Sequence, residues 1–294
     1  MKLALRDRVV DCVPGRPLLM GVVNANPDSF SDARRLRTLD DQTEHALGLV
    51  AAGADMIDVG GESGVTYTGL TPAEVERERV VPLVERLVAE GVTVSVDTFK
   101  PPVAAAALDA GAAMINDVSG LADPELARLC ATTGAALVVM HTRAAPKQVS
   151  FPGYDAVVED VVGFLGERLE LARSLGVRDE QIVLDPGPDF AKTPAETVDV
   201  LRSWKRLEQL GLPLLAAVSR KYFLGAITGR PPQDRLASTL AAVLWAADAG
   251  AAIVRVHDVA EAVDALHVHR VLRGDDEVPV FDADDESLKW VREG

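Results

Sequence analysis

The sequence predicts a single (β/α)8 TIM barrel, and three observations carry that prediction. Short apolar runs recur eight times, each bounded by polar or Gly/Pro-containing loops, as strands buried on both faces are. An amphipathic stretch follows each run, so strand and helix alternate without interruption. Every run also ends on a polar side chain. Unbroken alternation implies a parallel sheet with right-handed crossovers, and eight units is the count that closes a barrel. A doubly wound sheet is the alternative, but it seldom uses eight evenly spaced units and favours a glycine-rich first turn, absent here.

The stretch Leu18 to Asp32, LLMGVVNANPDSFSD, sets the pattern: an apolar strand, Leu18 to Val23, stopping at Asn24 and followed by a polar loop. Leu39 to Ala52 has helical spacing and ends at Gly53, which suits a C-cap. Asp55 to Gly61 is the second strand, Pro72 to Glu90 a charged amphipathic helix, and Thr93 to Thr98 the third strand. Pro101 to Ala110 is an Ala-rich helix whose prolines fit its first turn. Ala113 to Gly120 is strand four, with a helix over Pro124 to Thr132. Ala136 to His141 is strand five, then a longer loop and a helix from about Asp155 to Leu175. Ile182 to Gly187 is strand six, with a helix over Pro194 to Leu210. Pro213 to Ser219 is strand seven, with a helix from about Gln233 to Ala249. Ala252 to Val259 is strand eight, and Ala260 to Leu272 the last helix. Residues 1–273 therefore read as the barrel and residues 274–294 as an acidic C-terminal extension, mostly solvated, whose Phe281 and Trp290 are its docking candidates.

Composition narrows the function classes. A chain of 294 residues, 48% hydrophobic, has material for a large core. A net charge of −15, from 45 acids against 30 bases, argues against a broad nucleic-acid-binding surface. An anion would bind only where bases and backbone amides concentrate locally. Cys12 and Cys130 form no metal spacing and read as reduced thiols. No signal peptide is visible, and no run approaches the roughly 18 apolar residues of a membrane span. A soluble cytoplasmic protein that makes no membrane contact is expected.

In a barrel the active site lies where the strands end. Those ends carry Asn24; Asp58 and Glu62; Asp97; Asn116 and Asp117; Met140 and His141; Asp185; Ser219, Arg220 and Lys221; Arg255 and His257. Capping alone accounts poorly for polar groups closing all eight. They divide into two chemical sets. Asp97, Asn116, Asp185 and Lys221 combine carboxylate, amide and ammonium, the mixture that the edge of a flat heterocycle requires. The plainer alternative is that Asp97 and Asp185 cap loops or pair with barrel cations. Asn24, Arg255 and His257 come from strands one and eight, adjacent where the barrel closes. A guanidinium, an imidazole and an amide suit a phosphate or diphosphate, with the Asn24 oxygen a hard ligand for Mg²⁺. Arg255 and His257, with one residue between them, point to the same face. No nucleophile–base pair stands out, which favours a site that positions substrates and stabilises a leaving anion.

The segments GVVNANPDSFSD, DMIDVGGES, SVDTFK, MINDVSG, VVMH, LDPGPDFAKT, VSRKYF and IVRVHDV resemble, in order and over essentially the whole barrel, the dihydropteroate synthase family of the pterin-binding superfamily. The resemblance implies a (β/α)8 barrel, generally a homodimer, that uses Mg²⁺. Such enzymes condense 6-hydroxymethyl-7,8-dihydropterin diphosphate with p-aminobenzoate and release pyrophosphate. Carried over by motif, Asp97, Asn116, Asp185 and Lys221 bind the pterin, with Met140 and Phe190 lining the pocket. Asn24 becomes the Mg²⁺ and diphosphate residue. Arg255 and His257 become diphosphate anchors, Arg255 also stacking over the pterin. The catalytic set is then Asn24, Lys221, Arg255 and His257.

The departures fall in the other half of the site. Where the family has GGESTRPG this chain has GGESGVTYTG, so Gly64 and Val65, after Ser63, replace the Thr and Arg that help enclose p-aminobenzoate. SRKS becomes SRKY, replacing a serine with Tyr222. Asp189 replaces a glycine before Phe190 and is expected to repel a carboxylate. Asn26 and Arg34–Arg35 alter the first loop, either arginine being a substitute for the lost one. Three readings follow: a synthase with a divergent arylamine pocket, a paralogue that uses another amine or only binds pterin, and a methyltetrahydrofolate-binding methyltransferase module. Against the last, this sequence shows no corrinoid-binding domain, and Arg255 and His257 fit a diphosphate better than a methyl donor.

Overall fold

The computed structural model describes residues 1–25, 38–62 and 69–279. Eight parallel strands wrap into the barrel: β3 (Leu18–Asn24), β4 (Met56–Gly60), β5 (Val94–Asp97), β6 (Met114–Asp117), β7 (Ala136–Met140), β8 (Ile182–Asp185), β9 (Leu215–Ala216) and β10 (Ile253–Val256). The hydrogen-bonded order is β8-β7-β6-β5-β4-β3-β10-β9, and a single parallel bridge, Leu184 to Leu214, joins the two ends. The eight barrel strands named from the sequence are the strands observed, with ends shifted by up to three residues, and further at β9. There Pro213 to Ser219 yields a two-residue ladder.

Period-two alternation separates the two faces of each strand. Leu19, Ile57, Val96, Ile115, Val139, Leu184 and Val254 pack outward into one large cluster with the helices. Met20, Met56, Met114, Val138, Val183, Leu215 and Ile253 point inward and fill the barrel. Stepping two residues onward along the inner face changes the chemistry. Met56 gives way to Asp58, Ser95 to Asp97, Met114 to Asn116, Val183 to Asp185, and Ile253 to Arg255 and then His257. The same strands therefore build a dry lower barrel and a polar mouth.

The helices are α1 (Leu39–Ala51), α2 (Ala73–Ala89), α3 (Pro101–Asp109), α4 (Glu125–Thr133), α5 (Val157–Ser174), α6 (Pro194–Arg202), α7 (Trp204–Glu208), α8 (Tyr222–Thr228), α9 (Leu236–Ala249) and α10 (Val259–Arg273). Capping boxes start α1, through Thr38 and Asp41, and α6, through Thr193 and Glu196. The single helix expected over Pro194 to Leu210 breaks at Ser203. Trp204 turns inward there, 2% exposed and edge-on to Trp245 at 5.8 Å, an anchor that periodicity does not reveal. Helix α8 fills what reads as loop.

Ahead of the barrel, β1 (Lys2–Leu5) and β2 (Arg8–Asp11) form an antiparallel hairpin. Leu3, Leu5 and Cys12 join the inner cluster beneath the strands, so the hairpin plugs the end opposite the polar mouth. The charges of this segment mask its alternation in the sequence. At the other terminus Arg16 donates to the Asp275 carbonyl at 3.0 Å and pairs with Asp276, which also receives Arg270 Nε at 2.7 Å. The start of the acidic extension is thus tied to the barrel, while Phe281 and Trp290 lie outside the described residues. Among the described residues no helix is long and apolar enough to cross a membrane.

Candidate active site

A cavity of about 630 Å³ opens at the C-terminal ends of the strands. Its floor is organised by Asp58, a fully buried carboxylate on β4. Ser95 Oγ donates to Asp58 Oδ1 at 2.6 Å, Asn116 Nδ2 to Oδ2 at 3.0 Å, and Arg255 Nε to Oδ2 at 2.7 Å. Arg255 Nη2 also donates to Asp97 Oδ2 at 3.2 Å. Two carboxylates from neighbouring strands therefore fix the plane of one guanidinium as a ledge in the cavity wall. Burial holds the Asp97 carboxyl above the usual carboxylate range, with Arg255 pulling against it and Asp58 adding to the rise.

Asp185 ends β8 with its Oδ1 accepting from Gly187 N at 2.7 Å. Burial raises this acid too, opposed by that hydrogen bond and by Lys221. Lys221 stands at the entry to α8, its Nζ 4.3 Å from the centre of the Phe190 ring, and burial lowers its pKa. Its backbone is held by Arg235, whose Nη1 reaches the carbonyls of Arg220 at 2.9 Å and Lys221 at 3.1 Å. Gly225 leaves the room for this, since a Cβ there would meet Arg235 Nη2 at 2.1 Å. Arg220 is itself bidentate on Asp258, at 3.0 and 2.5 Å.

His257 follows Arg255 on the same inner face. Burial and the nearby Arg255 and Arg220 push its pKa down to about 3, so the ring is neutral at physiological pH. Ser219 Oγ accepts from His257 N at 3.2 Å and lies 2.9 Å from Nδ1. With the hydroxyl donating to Nδ1, the ring proton would sit on Nε2 and make it a hydrogen-bond donor for an anion.

Asn24, Asp97, Phe190, Lys221, Tyr222, Arg255 and His257 line this cavity together. Asn116, Met140 and Asp185 sit buried at 3%, 1% and 4% exposure, away from its lining. Tyr222 is 60% exposed. Ser63, Gly64, Val65, Asn26, Arg34 and Arg35 lie outside the described residues. Asp117 faces the other way and ties its own loop through Ser119 N, at 2.8 Å, and Leu121 N, at 2.6 Å. Asp189 also lines the cavity. Its carboxylate accepts from Phe223 N at 3.2 and 3.3 Å and from Thr197 Oγ1 at 3.4 Å, so it serves the start of α8.

Three contributors escape sequence reasoning. Asp58 is visible as a strand-end acid, but its place under Arg255 needs the register of strands almost two hundred residues apart. Arg235 and Lys192 sit outside the strand ends altogether. A further buried cluster stands at the mouth, where Lys100 Nζ pairs with Glu62 and Glu76 and donates to the Thr71 carbonyl at 2.8 Å.

Residues 20–257 match the model of the pterin binding enzyme family. The chain is 42% identical over 259 residues to the dihydropteroate synthase of Mycobacterium leprae, covering 85% of this chain and 91% of that protein. It is 44% identical over 251 residues to a probable bifunctional folylpolyglutamate synthase/dihydropteroate synthase of Haloferax volcanii, covering 85% of this chain but only 30% of that longer protein. The dihydropteroate synthase of Xanthomonas albilineans in complex with 7,8-dihydropteroate superposes with a TM-score of 0.83 at 42% identity, covering 95% of this chain and all of that one. With the motifs, the fold and the cavity agreeing, the chain belongs to the pterin-binding enzyme family, among the dihydropteroate synthases.

Proposed function

We propose that this protein joins 6-hydroxymethyl-7,8-dihydropterin diphosphate to p-aminobenzoate and releases pyrophosphate. The observation that carries the reading is the meeting of a heterocycle-binding set and a phosphate-binding set in one cavity. Asp97 and Lys221 line it beside Asn24, Arg255 and His257, with Asn116 and Asp185 buried nearby. The relative from Xanthomonas albilineans holds 7,8-dihydropteroate, the product of that reaction.

Asp185, Asp97, Asn116 and Lys221 would take the donor and acceptor edge of the pterin, and the flat face of Arg255 would lie against its ring. The diphosphate would meet the Nε2 proton of His257 and the positive charge of Arg255. The exocyclic C–O bond breaks first, and its electron pair leaves with the diphosphate. The positive charge left on the methylene carbon is spread over the pterin ring. The arylamine nitrogen then supplies the pair for the new C–N bond and gives up a proton. Nothing in this sequence needs a protein nucleophile, and charge stabilisation with exclusion of water carries it.

Among the described residues no group of three His, Cys, Asp or Glu side chains could hold a metal ion by itself. Mg²⁺ keeps waters and leans on substrate phosphates, so the hard amide oxygen of Asn24, on the cavity lining, would be its protein ligand. When bound, Mg²⁺ would neutralise charge on the departing diphosphate. A cytoplasmic homodimer is part of the same proposal, and size-exclusion chromatography and cell fractionation test it.

The second-substrate side remains the divergent one, with the Asp189 carboxylate on the cavity lining. Purified protein with pterin diphosphate, Mg²⁺ and p-aminobenzoate should yield pyrophosphate and dihydropteroate in equal amounts. Pyrophosphate only with another amine would transfer the assignment to a paralogue, and no pterin binding would end the reading. Asp185→Ala should abolish pterin binding, whereas Gly64→Thr with Val65→Arg should change only the arylamine KM.

A further inference from the structure

Lys192 is 1% exposed, an extreme for a lysine, and lies outside the cavity lining. Its Nζ donates to the Gly187 carbonyl at 2.9 Å and the Phe190 carbonyl at 3.1 Å, lies 3.4 Å from the His141 carbonyl, and stands 2.7 Å from His141 Nδ1. His141 is fully buried, and its Nε2 is 2.9 Å from Asp160 Oδ1. The Asp160 carboxylate can only accept, so the ring proton sits on Nε2, directed at Asp160, and Nδ1 presents its lone pair to Nζ. One side chain therefore cross-links the end of β7 to both limbs of the turn after β8.

That turn needs holding. Gly187, Asp189 and Ala191 have φ of 64°, 66° and 52°, and two of these three are not glycine. It also presses against β7, since a Cβ on Gly187 would sit 2.1 Å from the His141 carbonyl oxygen. Tyr154 Oη adds a hydrogen bond to the Ala191 carbonyl at 3.0 Å. The turn presents two groups to the site: Gly187 N, which orients Asp185, and the Phe190 ring beneath the Lys221 ammonium.

We propose that Lys192 is a positioning residue for pterin recognition, setting Asp185 and Lys221 through the turn from Gly187 to Phe190 without touching substrate. The assignment rests on the proposed pterin-binding role of the cavity. It would act on the pterin before the arylamine, because Asp185 and Lys221 belong to the proposed pterin set.

The test measures pterin diphosphate binding by calorimetry, steady-state KM for both substrates, and the thermal midpoint. Wild type is measured first, and its failure to bind pterin would overturn the functional reading itself. With wild type binding, Lys192→Met should raise the pterin Kd by about tenfold or more, in line with the loss of groups that orient binding residues, and leave the arylamine KM within about twofold. In a double-mutant cycle with Asp185→Asn the two losses should be markedly less than additive, because one acts through the other. Tyr154→Phe removes a single hydroxyl from a half-buried ring and should raise the pterin Kd by a few-fold. It keeps the test decisive should Lys192→Met not fold. Unchanged pterin affinity in the variants that fold, equal losses for both substrates, or strict additivity with Asp185→Asn would overturn the assignment.

Discussion

Asp58 is fully buried among three donors, and its removal leaves each of them without that partner. Asp58→Asn takes the negative charge from Arg255 Nε while keeping the size of the side chain. Breaking a buried pair in this way costs about 3 kcal/mol or more, and urea denaturation should show that loss together with a large fall in kcat/KM. The two buried histidines give the residue scale a pH signature. Burial and Lys192 lower His141 to about 4, against about 6.5 in an unfolded chain. Above pH 6.5 neither state is protonated, and the folded protein keeps its full stability in this respect. As pH falls from 6.5 toward 4 the unfolded chain takes up a proton that the folded chain refuses, so stability drains away. His141→Asn has nothing to protonate. Its stability deficit relative to wild type should therefore shrink with acidification, by up to about 1.4 kcal/mol per pH unit across that window. At this scale the sequence announced residue types better than residue partners. Arg255 and His257 were legible from their spacing, whereas the bond from Arg255 to Asp58 required the closed barrel.

Elements that obey a period were readable, and elements that depend on a distant neighbour were not. The αβ rhythm followed from alternation and from end signals such as Gly53 and Pro101. Helix α8 is only seven residues long, and it begins where Asp189, thirty-four residues earlier, offers a carboxylate to Phe223 N. Asp189 also occupies a left-handed conformation that Asp tolerates better than most residues. Asp189→Ala removes the acceptor and keeps the strain, so a loss of about 1–2 kcal/mol is expected by thermal or chemical denaturation. Asp189→Asn should lose appreciably less. If the carboxylate instead acted on substrate, the Asn variant would keep its stability and lose arylamine affinity. The N-terminal hairpin was missed because Arg6, Asp7 and Arg8 interrupt its apolar residues, although Leu3 and Leu5 alternate as a strand should.

For the whole molecule, eightfold repetition made the architecture legible from the chain alone, since few other topologies accept eight equal βα units. The quality of closure was not legible. Seven contacts between neighbouring strands are regular ladders, and the eighth is the lone bridge between Leu184 and Leu214, beside a strand of two residues. A cylinder with one thin seam breathes there first. Amide exchange should be faster at Leu215 and Ala216 than along β4 and β5, and uniform protection around the barrel would contradict this. Asp185 lies on one side of the seam, and Ser219 and Lys221 on the other. Each opening would spread the residues proposed to grip the pterin, so a bound ring would act as a rivet, and ligand-induced protection should be greatest where the wall is thinnest.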